Sequence, residues 1–149
     1  MVKSLFLVTA LAMSSLLSVP ASQAAGHAKA HASKPTAAVV VTRLKATPGE
    51  RENLAAFIIA NWFAMDAVAL DQGLFTSYRL FENPVEDGEW DLAVEVGYPT
   101  PLGYDEPEIR SGFEAIRSAH TTVLIDGKGL RDLGSVIGSE RLIVLEGSD

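Results

Sequence analysis

Residues 90–97 read Trp-Asp-Leu-Ala-Val-Glu-Val-Gly, and this alternation restricts the fold more than any other stretch of the chain. Side chains of a strand point by turns to its two faces. Trp90, Leu92, Val94 and Val96 therefore share one face, and Asp91, Ala93, Glu95 and Gly97 share the other. A strand of this kind belongs in a sheet with one covered side and one side of mixed polarity. The cover lies upstream. Leu54, Ile58, Trp62, Met65 and Ala69 recur at steps of three and four, with Phe57 beside them, which predicts a long helix with one apolar face that closes at Gly73. Its start is read at Thr47, where Pro48 and Glu50 complete the pattern of a capping box.

The remaining elements are set by the same two periods. Val39 to Lys45 is β-branched and bounded by Thr47-Pro48-Gly49, and so reads as a first strand. Leu74 to Phe81 alternates as a second and runs into Asn83-Pro84 and Asp87-Gly88, so that strands two and three form a hairpin. After the Pro- and Gly-rich loop 97–107, Ile109, Phe113, Ile116 and Val123 mark a second helix with Asp105 as its N-cap. Leu130, Leu133 and Ile137 suggest a short helical turn before Gly138, and Arg141 to Glu146 the last strand. Gly127-Lys128-Gly129 is a turn, since neither the spacing nor the feeding strand of a phosphate loop is present. The order is βαββαβ: a ferredoxin-like α+β fold, an antiparallel four-stranded sheet with two helices on one face. The other face requires water or a partner, for which a second copy of the chain is the common solution.

Lys3, the apolar run Leu5 to Leu17 and the small residues Ser22-Gln23-Ala24 have the form of a secretory signal peptide over 1–24, too short and too interrupted by Ser14, Ser15 and Ser18 to serve as a stable membrane anchor. Residues 25–36, AGHAKAHASKPT, read as a flexible tether, and 37–149 as the folded domain. The expected location is outside the cytoplasm, periplasmic or secreted. Lys3 is the only charged residue in 1–24, so the net charge of −7 becomes −8 once that segment is removed. With no basic cluster, nucleic acid is a poor partner. With no cysteine, disulfides, thiolate nucleophiles and Cys-ligated metal sites are all excluded. Stability must come from packing or association.

The element order, the helix lengths and the Trp90-Asp91-Leu92 strand running into a Tyr98-Pro99 loop resemble the dimeric α/β-barrel superfamily over roughly residues 37–147. The resemblance implies a homodimer whose two sheets pack face to face, with a pocket between each sheet and its helices. Its members include cofactor-free monooxygenases of antibiotic biosynthesis and haem-degrading enzymes. The latter bind haem iron through a histidine on the second helix, and Phe113 to His120 is similar in character. They also use an Asn in the first strand, where this chain has Val40, Val41 and Thr42, a departure that speaks against haem oxygenation.

The candidate ligand-binding residues are Asn61, Trp62, Arg79, Asp91, Glu95 and His120, with His120 also the candidate acid or base. Asp91 and Glu95, joined by Arg79 or Arg43, would place charge on the face away from the helices, either holding a polar ligand or simply ion-paired. Trp62 is on the apolar stripe; Asn61, a poor helix former, is there for solvent or for a specific hydrogen bond. Cleavage after Ala24 would leave Ala25-Gly26-His27 at the new N-terminus, whose amine, two amides and imidazole give Cu(II) or Ni(II) a square-planar set, with His27 as the metal ligand. No cofactor is otherwise expected. Three functions stay open: an exported protein that binds a small organic ligand, a cofactor-free or haem-dependent oxygenase using His120 with Trp62 and Asn61 shaping the pocket, and a purely structural dimer.

Overall fold

The structure, a computed structural model, describes residues 34–146. The expected signal peptide, most of the expected tether and the His27 metal motif lie outside the described residues. Strands β1 (Ala38–Ala46), β2 (Ser77–Glu82), β3 (Leu92–Tyr98) and β4 (Gly134–Ile143) form one antiparallel sheet in the order β2-β3-β1-β4. Helix α1 (Arg51–Asp71) and helix α2 (Pro107–Ala119) supply the cover, and α3 (Leu130–Leu133) is a single turn before β4. This is the ferredoxin-like α+β fold that the alternation and the helical stripe predict.

The alternation of β3 holds in register from Leu92 onward but not at its start or in burial: Trp90 and Asp91 precede the strand, Asp91 is buried against Arg51 of α1, and Ala93 on the other face is buried too, while Val96 is half-buried. Leu92 and Val94 are buried with Leu44 of β1 against Leu54, Phe57 and Ile58 of α1 and Leu133 of α3. A second core gathers Ala69, Phe75, Tyr98, Ile109 and Phe113, with Val40, Met65 and Tyr104 packed on it. By length and composition α1 could cross a membrane, but here its apolar stripe makes the core contacts just named. Within α1, residues Ile58–Phe63 are π-helical. The wider turn rotates the remainder of the helix, so that Leu54, Ile58, Asn61, Asp66 and Ala69 are all buried along one element.

Several boundaries differ from the sequence reading, among them β2, which starts at Ser77 and not Leu74, and β4, which ends at Ile143 and not Glu146. Gly49 has φ +81°, so Thr47 to Glu50 form a tight turn closed by the Glu50 amide on the Thr47 carbonyl at 2.9 Å, and α1 begins only at Arg51. The Glu50 carboxylate is not a capping group; it accepts from Asn53 and Lys128. The N-cap of α2 is Glu106, because Pro107 at the first helical position drives the residue before it out of the helical region. Asp105 instead takes hydrogen bonds from Arg110 and Arg141. Helix α2 ends at Ala119, which leaves His120 and Val123 beyond it. Finally, β4 starts at Gly134, and its register jumps between Gly138 opposite Arg43 and Val136 opposite Leu44, leaving Ile137 as a bulge residue rather than part of a helical turn.

Candidate functional site

A cavity of about 520 Å³ lies at the seam of the two cores, between the sheet and the helices. The sheet contributes Val40 and Thr42 from β1, Val94, Val96 and Tyr98 from β3 and Ser139 from β4, all on the face that the alternation assigns to the core. Helix α1 contributes Trp62, Met65 and Asp66, helix α2 Phe113 and Arg117, and the intervening loops Phe75 and Tyr104. Arg117 and Ser139 are exposed and mark the open end. Rings form much of the wall: Phe75 stands edge-on to Tyr98 with centroids 5.0 Å apart, lies 4.9 Å from Phe113, and Tyr104 meets Phe113 edge-on at 6.1 Å.

Asp66 is the chemically distinctive member. It is 4% exposed, and among the described residues its carboxyl has neither a hydrogen bond nor an ion pair. Burial disfavours the charged form and pushes the carboxyl from 3.8 up to about 7. Tyr98 is shifted upward too, chiefly by burial and then by the nearby Asp66 charge, so it remains a phenol. A carboxyl that exchanges its proton near neutrality inside an aromatic cavity is the kind of group found at binding and reaction sites.

Of the residues singled out from sequence, Trp62 alone lines this cavity. Asn61 is buried beside it but turned away. Its Nδ2 donates to the carbonyls of Phe57 and Val123, both at 2.9 Å, and its Oδ1 accepts from the Val123 amide at 2.7 Å and from His120 Nε2 at 3.1 Å. Two carbonyls fix which amide atom is nitrogen, so Nε2 of His120 must carry the hydrogen. All the bonding capacity of Asn61 is thus used to pin the segment after α2, the specific hydrogen-bonding role that sequence left open. His120 borders a separate apolar groove with Met65, Val68 and Ile116. With Nε2 committed and the ring outside the cavity, these residues do not fit a haem bound there through His120.

The charged candidates are dispersed. Arg79 and Glu95 pair at 3.2 Å on the uncovered face, and Arg43 pairs there with Glu140 at 2.5 Å. Asp91 lies before β3 and is 5% exposed. Its carboxylate accepts from the Ala46 amide at 2.8 Å, Arg51 at 2.6 Å and Lys45 at 3.3 Å. Burial raises its pKa, but the Arg51, Ala46 and Lys45 hydrogen bonds together outweigh burial and hold it below the ordinary carboxylate value. Arg79, Glu95 and Asp91 thus each have an ion-pair partner within the chain, and Asp91, read with Glu95 on the uncovered face, is instead buried against Arg51 of α1. Among the described residues no cluster of His, Asp and Glu could hold a metal.

Sequence reasoning passed over Asp66. A signal was there: Asp66 follows Trp62 by four and precedes Ala69 by three, which places a carboxylate on the apolar stripe itself.

No family model matches this chain, and no curated protein matches it in sequence. Among solved structures it is similar to SnoaB, a cofactor-independent oxygenase from Streptomyces nogalater, at 15% identity and a TM-score of 0.40, covering 76% of this chain and 97% of that one. It is also similar to PA3566 from Pseudomonas aeruginosa, at 13% identity and a TM-score of 0.44, covering 76% and 98%. These likenesses concern the path of the chain and say nothing of its residues or chemistry.

Proposed function

We propose that this protein binds a small, mainly apolar organic molecule in the cavity beneath its sheet. The observation that carries the reading is the 520 Å³ space walled by Trp62, Phe75, Tyr98, Tyr104 and Phe113, with one unpartnered buried carboxyl, Asp66, inside it. Ligand sites combine an apolar wall with a few placed polar groups in this way, and the volume lies within their usual range of roughly 300–1,000 Å³. The open space supports this reading over a purely structural dimer, whose barrel would be filled by side chains. An oxygenase dependent on His120 has no support from the position of that ring.

Binding can be followed through Trp62 once Trp90, which lies outside the cavity, is replaced by Phe. Titration with naphthol should quench Trp62 fluorescence to saturation, and Thr42→Phe, which projects a ring into the space from β1, should abolish the quenching while the circular dichroism spectrum is retained. Saturable quenching unchanged by Thr42→Phe, or no quenching at all, would remove the cavity as the site.

A further inference from the structure

We infer that the ligand is an amphipathic amine, an aromatic or otherwise apolar body whose ammonium group pairs with Asp66 inside the ring-lined cavity. This rests on the cavity being a ligand site and adds the class of ligand.

The inference comes from a charge without a partner. Asp66 is buried, carries no hydrogen bond among the described residues, and no cation among them is bonded to it. The titratable and charged groups that line the cavity with it are Tyr98 on β3, Tyr104 in the turn Gly103–Asp105 and Arg117 on α2; beyond them Asp105 acts on Tyr98 and bonds Arg141 of β4. Each cation among them is otherwise engaged. Arg117 is exposed and lies over the Phe113 ring at 5.4 Å, while Arg141 is held by Asp105 at 3.0 Å and by the Leu102 carbonyl at 2.6 Å. An ionised carboxylate in such a place is costly unless a counter-charge arrives, and a ligand ammonium supplies one. The walls favour the same ligand, because ring faces attract cations.

Other ligand classes fit less well. An anion would face an acid that is half-ionised near neutrality, and a neutral alcohol would gain a hydrogen bond without neutralising the charge. A bare divalent cation would need several carboxylates, and no such group exists among the described residues. The chain as a whole carries −7, which raises the local concentration of cations and not of anions.

Calorimetric titration of the full chain with tryptamine and with tryptophol, its uncharged alcohol counterpart, separates the two levels of the argument. At about pH 8, tryptamine should bind about tenfold or more tightly than tryptophol, and Asp66→Asn should erase the difference. In the wild type, tryptamine affinity should weaken as pH falls through about 7, where Asp66 takes up its proton, while tryptophol affinity stays level. This pH series needs no variant and decides the matter even if Asp66→Asn folds poorly. Equal binding of the two compounds by the wild type, or tryptamine binding that ignores both pH and Asp66→Asn, overturns the amine assignment and leaves the cavity reading intact. Failure of both compounds to bind overturns the two together.

Discussion

Asp66 makes folding itself sensitive to pH, and the sign is opposite to that of an ion-paired carboxylate. Its pKa is about 7 in the folded state against 3.8 as the unperturbed value. Between those limits the unfolded chain has released the proton and the folded chain has kept it, so the unfolded state binds fewer protons and stability falls as pH rises. Below about 4 and above about 7 the contribution is flat. The whole excursion is at most roughly 4 kcal/mol, because one pKa unit corresponds to about 1.4 kcal/mol. Asp66→Asn cannot ionise, so it should raise the melting temperature at about pH 8 and leave it nearly unchanged at about pH 4; equal shifts at both values would show that burial does not perturb the group. Asp91 differs because Arg51, Lys45 and the Ala46 amide meet its charge. Sequence shows both as acids next to apolar residues, and only the packing of helix on sheet reveals which one has cations within reach.

At the scale of elements, close approach decides what residues are allowed at the start of β4. A Cβ on Gly134 would lie 2.6 Å from the Lys45 carbonyl and 2.9 Å from Leu54 Cδ2, so the strand can pair with Ala46 and leave α3 beneath Leu54 only without a side chain. Gly134→Ala should cost about 2 kcal/mol in urea unfolding, the size expected for overpacking against fixed backbone; a loss within about 0.5 kcal/mol would mean that β4 yields freely. This strand is also where the sequence was least legible. Gly134, Ser135, Gly138 and Ser139 dilute its pattern, Ile137 is a bulge, and as an edge strand it has few buried positions to produce an alternation. β3, paired on both sides and covered by α1, showed its alternation directly. The start of α1 was obscured for a related reason: Gly49 takes a left-handed conformation that no capping pattern encodes.

For the whole molecule the open question is the second face of the sheet. The register places Val39, Val41 and Arg43 of β1, Ala93 and Glu95 of β3, Arg79 and Phe81 of β2, and Glu140 and Leu142 of β4 together on the side away from the helices. Phe81 and Leu142 are 43% and 48% exposed there. Apolar centres flanked by the pairs Arg79–Glu95 and Arg43–Glu140 make a surface that can match itself under a two-fold axis, each Arg finding a carboxylate of the other copy as well as its own. Exposed ion pairs add little to the stability of a monomer; placed around an apolar interface they select orientation instead. We therefore expect a homodimer through this face, and the location of the cavity on the opposite side of the sheet allows the two properties to be tested separately. Light scattering of the wild type should give twice the chain mass, and Leu142→Glu with Val41→Glu, which adds like charge to both copies, should give the monomer while Trp62 still responds to naphthol. A wild-type monomer at micromolar concentration would refute pairing through the sheet. Loss of the naphthol response in the monomeric variant would mean that the second copy holds the cavity in shape through the strands that the two sites share.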